Sequence, residues 1–259
     1  MLWESDFTRG LSGIPTNGLI WMGDREYMLE QVQQKLDQGF KVLKMKVGAL
    51  DFQEELKVLG SMREAFDEGD LEIRLDANGA WKAWEAGEKL DRLSGFGIHS
   101  IEQPLAPGQP EVMAGLCQQS LIPIALDEEL IGISDPADSR TLLETIRPQY
   151  IILKPGLLGG FSRTWEWILL AGEYGVDWWA TSALESNVGL SAIAQWTASQ
   201  LAASRDRVSR DTMRHQGLGT GSLYTNNIDS PLQMEGELLW YRPEKDWALF
   251  TESLKNSDL

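Results

Sequence analysis

A parallel α/β protein closed into a barrel is the fold this sequence predicts, and three observations predict it. Short apolar runs alternate with helical stretches along most of the 259 residues. That length matches the roughly 250 residues an eight-stranded α/β barrel needs. Charged residues recur at one phase of successive β/α units, where a barrel presents its C-terminal rim. The alternation by itself fits either an open doubly wound sheet or a closed barrel. The chemistry at that recurring phase favours the barrel.

The elements follow in order. Strands are expected at 18–22, 41–47, 72–78, 100–104, 122–128, 150–155 and 176–182, with a weaker eighth at 217–223. Each is a short apolar run of the kind a buried parallel strand requires. A first helix is expected to start near Asp24, with Met28, Val32 and Leu36 on one side and Gly39 placed to end it. The next, DFQEELKVLGSMREAF, opens on Asp51 with Glu54 three residues on, as in a capping box. Phe52, Leu56, Leu59, Met62 and Phe66 then form one apolar face. The segment 231–259 breaks the pattern and is expected to be an irregular tail that packs on the barrel or on a neighbouring domain.

Composition narrows the function. Thirty-nine acidic residues against 23 basic ones give a net charge of −16, which argues against a nucleic-acid partner. No apolar run approaches the roughly 20 residues of a membrane span, and MLWESDFTRG is not a signal peptide, so a cytoplasmic location is expected. The single cysteine, Cys117, excludes an intrachain disulfide and lies among ordinary helix residues as a buried spectator. His99 and His215 are too few and too poorly placed for a catalytic pair. Trp178 and Trp179, among eleven tryptophans, read as packing residues.

Buried strands should be apolar, yet here several end in charges. The second ends Lys44-Met45-Lys46, so the two lysines share a face and Met45 points the other way. The third carries Asp76 and Asn78, the fourth Glu102, the fifth Asp127 and the sixth Lys154. The intervals are 26 from Asp76 to Glu102, 25 to Asp127 and 27 to Lys154. One acid near a strand end would be an ordinary helix cap. Three at equal phase in adjacent units would repel unless a cation sat among them. Oxygen ligands without His or Cys select a hard ion, so Asp76, Glu102 and Asp127 are candidate ligands for Mg2+, with Mn2+ able to substitute. Lysines on strands two and six would flank that ion. A site of this kind removes a proton alpha to a carboxylate and stabilises the enediolate. A lysine base must first lose its own proton, and Lys44, on the same face as Lys46, adds the neighbouring positive charge that favours the loss.

These residues resemble the enolase superfamily in its muconate-lactonizing subgroup. The resemblance rests on KMK at 44–46, LDANGAW around Asp76, SIEQPL around Glu102, LDEEL around Asp127 and ILKPG around Lys154. It implies an enolase-type (β/α)7β barrel over 14–230. Within the subgroup the chain is most similar to the o-succinylbenzoate synthase family of menaquinone biosynthesis, on IPTNGLIWMG, ATSALESNVGL and QGLGTGSLYTNNIDSPL. That resemblance implies a Mg2+-dependent syn dehydration of a small-molecule carboxylate, 2-succinyl-6-hydroxy-2,4-cyclohexadiene-1-carboxylate. In it Lys46 is the base, Lys154 stabilises the enediolate and Lys44 supports Lys46. Asn78, Ser182, Ser186, Gly219 and Thr220 are the matching substrate-binding positions. GLGTG also reads as a plain β/α turn, and it lacks the pattern of a nucleotide loop. Relatives begin with a capping domain. Residues 1–13 are therefore expected to be a remnant of the linker to it, with the cap itself absent. Two rival readings remain. One is an N-acylamino acid racemase or dipeptide epimerase using Lys46 and Lys154 as opposed bases, and the other is a non-catalytic barrel fragment.

Overall fold

The computed structural model describes residues 1–204 and 215–247. The chain divides into two compact units, Gly18–Trp179 and a second made of Met1–Asn17 with Ala180–Leu259. The last part of the expected tail, 248–259, lies outside the described residues.

The larger unit is a run of strand–helix repeats. Its strands are β2 (Gly18–Ile20), β3 (Val42–Lys46), β4 (Glu72–Asp76), β5 (Ile98–Glu102), β6 (Ile124–Leu126), β7 (Tyr150–Leu153) and β8 (Asp177–Ala180). They lie side by side in chain order as one seven-stranded sheet, with each pairing from β2 to β7 parallel. Helices α1 (Arg25–Asp37), α2 (Phe52–Ala65), α3 (Ala83–Leu93), α4 (Pro110–Gln119), α5 (Pro136–Ile146) and α6 (Phe161–Tyr174) make the crossovers. The seven expected strands all form, six of them shorter than expected by two to four residues, because their last residues turn into the following loops, while β5 keeps its expected length. β5 also starts two residues earlier, at Ile98.

Local chemistry explains the helices. The Asp24 carboxylate caps α1 by accepting from the Tyr27 amide, and α1 stops short of Gly39, whose φ is +87°. Asp51 caps α2 through the Gln53 amide. The expected capping box does not close, because Glu54 pairs with Lys57 at 2.5 Å. Its neighbour Glu55 turns inward instead, 2% exposed, and accepts from the Gly48 amide at 2.6 Å and the Leu50 amide at 3.4 Å. Leu59 and Met62 of the expected apolar face are buried, joined by Val58.

Side chains alternate across the sheet. Leu43, Met45, Ile73 and Leu75 are buried on one face, where they meet the helices. The opposite face carries Lys44, Arg74, Asp76, Ser100 and Glu102. Toward the N-terminal ends of the strands it is filled by Ala125, Ile152 and Trp179, with Tyr150 against them. Arg74 lies there, 4.6 Å from the Trp179 ring and 2.7 Å from Glu72. His99 bonds Ser100 Oγ and stacks on Tyr150, so it packs at the opposite end of β5 from Glu102.

The second unit holds a three-stranded antiparallel sheet of β1 (Ile14–Pro15), β10 (Leu238–Tyr241) and β9 (Leu232–Glu235), in that order. The segment expected to be irregular is thus a hairpin, turning at Gly236 with φ +59°. Helix α7 (Asn187–Ser204) belongs to this unit too. The expected eighth strand at 217–223 does not form. Gln216 bridges Thr16 and Gly217 bridges Thr181, both parallel, and a turn follows. Three glycines in GLGTG explain this, since alternate positions offer no side chain to pack. A Cβ on Gly217 would lie 2.5 Å from Thr181 Cγ2. His215 sits 3.1 Å from Glu237. Cys117 is buried on α4, and burial pushes its thiol up to about 12.

Candidate active site

The C-terminal ends of five consecutive strands assemble one charged cluster. Register sets it. Lys46 of β3 stands opposite Asp76 of β4, and Asp76 stands opposite Glu102 of β5. Asp127 follows β6 and Lys154 follows β7 at the same level of the chain path. The order across the sheet is therefore lysine, three acids, lysine, with Lys44 one step down β3.

Every carboxylate is engaged by an ammonium. Lys44 Nζ lies 3.0 Å from Asp76 Oδ2 and 2.9 Å from Glu102 Oε2. Lys46 Nζ lies 2.7 Å from the same Asp76 oxygen and 2.6 Å from Asn78 Oδ1. Lys154 Nζ hydrogen-bonds Asp127 Oδ2. Asp76, Glu102 and Asp127 are each at most 1% exposed and Lys44 is 7% exposed. Burial opposes charge on Asp76, but Lys44 and Lys46 outweigh it and hold that carboxyl well below the usual range. Burial likewise opposes charge on Lys44, and Asp76 with Glu102 outweigh it, keeping the ammonium firmly protonated. Lys154 is held up in the same way by Asp127 and Glu102 against its own burial. Glu102 goes the other way. Burial and the Asp76 carboxylate push it well above the ordinary carboxylate range. Its Oε1 is buried and accepts no hydrogen bond from a described residue.

The expected like-charge pairing of Lys44 with Lys46 therefore needs correction. The two share a face, as their spacing requires. Their dominant partners are acids, because β4 brings Asp76 against both.

Two residues hold the cluster in shape at left-handed backbone. Asn78 has φ +44°, and its amide nitrogen donates to Glu128 Oε1 at 2.9 Å while its oxygen accepts from Lys46. Expected to contact substrate, Asn78 is bonded on both sides to protein. Gln103 has φ +40° and is fully buried. Its Oε1 accepts from the amides of Asp127, 3.1 Å, and Glu129, 3.3 Å. Its Nε2 donates to the Leu105 carbonyl and to Glu129 Oε2. Glu129 in turn accepts from the Gly108 amide. Gln103 thus fixes the loop bearing Asp127 from the strand bearing Glu102. Sequence reasoning passed over Gln103, Glu128 and Glu129, although EQP and DEE lie inside the motifs that marked the acids. Their signal was a polar residue beside a charged one at the end of an apolar strand.

The remaining expected substrate residues lie in the second unit. Ser182 Oγ donates to Glu185 Oε2 and accepts from the Leu184 amide, both at 2.8 Å. Exposed Ser186 offers its carbonyl to the Leu190 amide at the start of α7. Gly219 lies near Thr16, where a Cβ would come to 3.2 Å. Thr220 is 7% exposed, and its hydroxyl has no hydrogen-bond partner among the described residues.

The donor chemistry suits a hard divalent ion, with three buried carboxylates from adjacent strands, one orphaned oxygen and no sulfur or imidazole. Among the described residues no three acidic, His or Cys groups converge on one point. Lysine ammonium groups hydrogen-bond one oxygen of each of the three carboxylates. No described helix is long and apolar enough to cross a membrane.

Comparison with known proteins adds to this geometry. The family model of the enolase C-terminal domain-like proteins matches residues 27–238. The chain is 54% identical over 236 residues to an o-succinylbenzoate synthase of Desulfotalea psychrophila, covering 91% of this chain and 61% of that protein. The crystal structure of MenC from the same organism superposes with a TM-score of 0.83 at 51% identity, covering 92% of this chain and 63% of that one. An N-succinylamino acid racemase of Thermus thermophilus is 32% identical over 165 residues, 63% of this chain and 42% of that protein. The chain thus spans about three-fifths of the length of the synthase.

Proposed function

The chain belongs to the enolase C-terminal domain-like family, with its TIM-barrel-like α/β fold, and from that premise we propose that it serves an o-succinylbenzoate synthase reaction. The observation that carries this reading is the row itself. Lys46 and Lys154 stand at the two ends of a line of three buried carboxylates, a layout suited to removing a proton next to a substrate carboxylate. The likeness to the Desulfotalea psychrophila synthase, at 54% identity, favours dehydration over racemisation.

The substrate proposed is 2-succinyl-6-hydroxy-2,4-cyclohexadiene-1-carboxylate. Lys46, as the free amine, takes the proton from the ring carbon that bears the carboxylate. The electron pair left behind spreads into that carboxylate as an enediolate. Lys46 then returns the proton to the ring hydroxyl, the carbon–oxygen bond breaks, water leaves and the ring becomes aromatic. Asn78, braced by Glu128, holds the Lys46 side chain along the direction of transfer. Lys154 keeps a positive charge near the enediolate. Asp76, Glu102 and Asp127 would hold Mg2+ or Mn2+, which supplies charge to attract and polarise the substrate carboxylate. Ser182, Ser186, Gly219 and Thr220 are proposed to receive the succinyl arm. Residues 14–230 make up the catalytic region in this reading.

The test is direct. Purified chain with Mg2+ should convert the cyclohexadiene to o-succinylbenzoate, followed by the absorbance of the aromatic product. Epimerisation of N-succinyl amino acids without any dehydration would overturn the proposal in favour of a racemase. Absence of both reactions would favour a non-catalytic chain.

A further inference from the structure

Support of Lys46 does not by itself account for the position of Lys44, whose ammonium is hydrogen-bonded to two acids. Lys44 is 7% exposed, and its side chain lies on the sheet face that carries Asp76 and Glu102. Its ammonium bridges two carboxylates on neighbouring strands, at 3.0 Å from Asp76 and 2.9 Å from Glu102. Those acids are cross-strand partners, buried and close enough that the negative charge of Asp76 bears directly on Glu102. Two buried carboxylates facing each other need a cation between them. Lys46 helps Asp76 only, and Lys154 bonds Asp127. Among the described residues, Lys44 is the cation hydrogen-bonded to both Asp76 and Glu102.

We propose that Lys44 is the built-in counter-cation of this acid pair, standing where a divalent ion would otherwise be required and competing with that ion for Asp76 and Glu102. The inference rests on the reading of Asp76, Glu102 and Asp127 as metal ligands. Its physical basis is short-range repulsion. A divalent ion held by the Asp76 and Glu102 carboxylates would sit beside an ammonium already about 3 Å from an oxygen of each, and two cations that close in a buried site oppose each other strongly. Lys44 thus lets the cluster fold without metal and weakens metal binding in return.

Calorimetric titration of the full chain with MgCl2, in parent, Lys44→Met and Lys44→Arg proteins, tests this. Lys44→Met should bind Mg2+ at least about tenfold more tightly than the parent, because the competing charge is gone, whereas Lys44→Arg should bind no more tightly than the parent. If Lys44→Met does not fold without metal, Lys44→Gln keeps a hydrogen-bond donor without the charge and carries the same expectation. Equal or weaker binding by the neutral variants, with the parent binding Mg2+, would overturn the inference and leave the metal reading intact. Failure of parent and variants alike to bind Mg2+ would overturn both.

Discussion

Lys46 touches two groups, and they divide its work. Asp76 anchors its nitrogen from one side, and Asn78 fixes its direction from the other. A base placed this way is lost by truncation and by replacement with a group that stays protonated. Lys46→Ala should cut turnover about a thousandfold, the scale of a single general base, while Mg2+ binding persists. Lys46→Arg should fail as badly, since a guanidinium keeps its proton at working pH and offers a different shape. Turnover of either variant within about tenfold of the parent would remove Lys46 from the role. Residues of this kind were legible in the sequence because a charge inside a buried strand is costly and so stands out. Asp76, Glu102, Asp127 and the three lysines were all found by that contrast. Their arrangement was less legible. Spacing puts Lys44 and Lys46 on one face, but only the β3–β4 register reveals that Asp76 lies against both. Gln103 was missed because an uncharged amide beside Pro104 looks like any strand end. What it grips, the amides of Asp127 and Glu129, lies 24 and 26 residues away.

At the scale of elements, the loop after β3 shows how a helix can steady the strand that bears Lys46. Gly48 has φ +93°, and a Cβ there would come within 2.7 Å of Ala80 Cβ, so only glycine fits the turn two residues after Lys46. Glu55 reaches back from the first turn of α2 to take the Gly48 and Leu50 amides. Burial raises its carboxyl above the usual value, with those amides opposing. The folded chain therefore holds the Glu55 proton more tightly than the unfolded chain does. Stability from this group is complete below the unfolded value, 4.5, and is lost as pH rises through the folded value. Glu55→Gln stays neutral, and its carbonyl oxygen can still accept from Gly48. Its stability relative to the parent should accordingly rise between about pH 4 and about pH 7, measured by urea unfolding at each pH. A constant difference across that range would mean Glu55 is not the titrating latch. The Asp51 cap was legible here because capping is local, whereas the inward turn of Glu55 was not, since nothing in sequence separates it from Glu54. The β9–β10 hairpin escaped notice for a related reason. Its pairing partner, Ile14–Pro15, lies near the other end of the chain, and Glu235, Gly236 and Glu237 interrupt its apolar pattern.

For the whole molecule, the governing fact is a net charge of −16. Self-repulsion of that size destabilises the compact state, and any salt relieves part of it by screening. On the proposed metal reading, added Mg2+ acts on this chain for two unrelated reasons, and only one of them concerns the site. Screening depends on ionic strength and ignores the identity of buried residues. Site binding saturates and depends on three carboxylates. At about a hundredfold its dissociation constant, a ligand that binds only the folded state adds about 2.7 kcal/mol. In a chain of this length that corresponds to a rise in melting temperature of about 5–10 °C. We expect MgCl2 to raise the midpoint by about that much over NaCl of matched ionic strength. The excess should disappear in Glu102→Gln, which removes the carboxylate whose Oε1 lacks a partner, while the response to NaCl is unchanged. If MgCl2 and matched NaCl give the same midpoint, the cation acts on the acidic surface alone and Asp76, Glu102 and Asp127 are not its ligands.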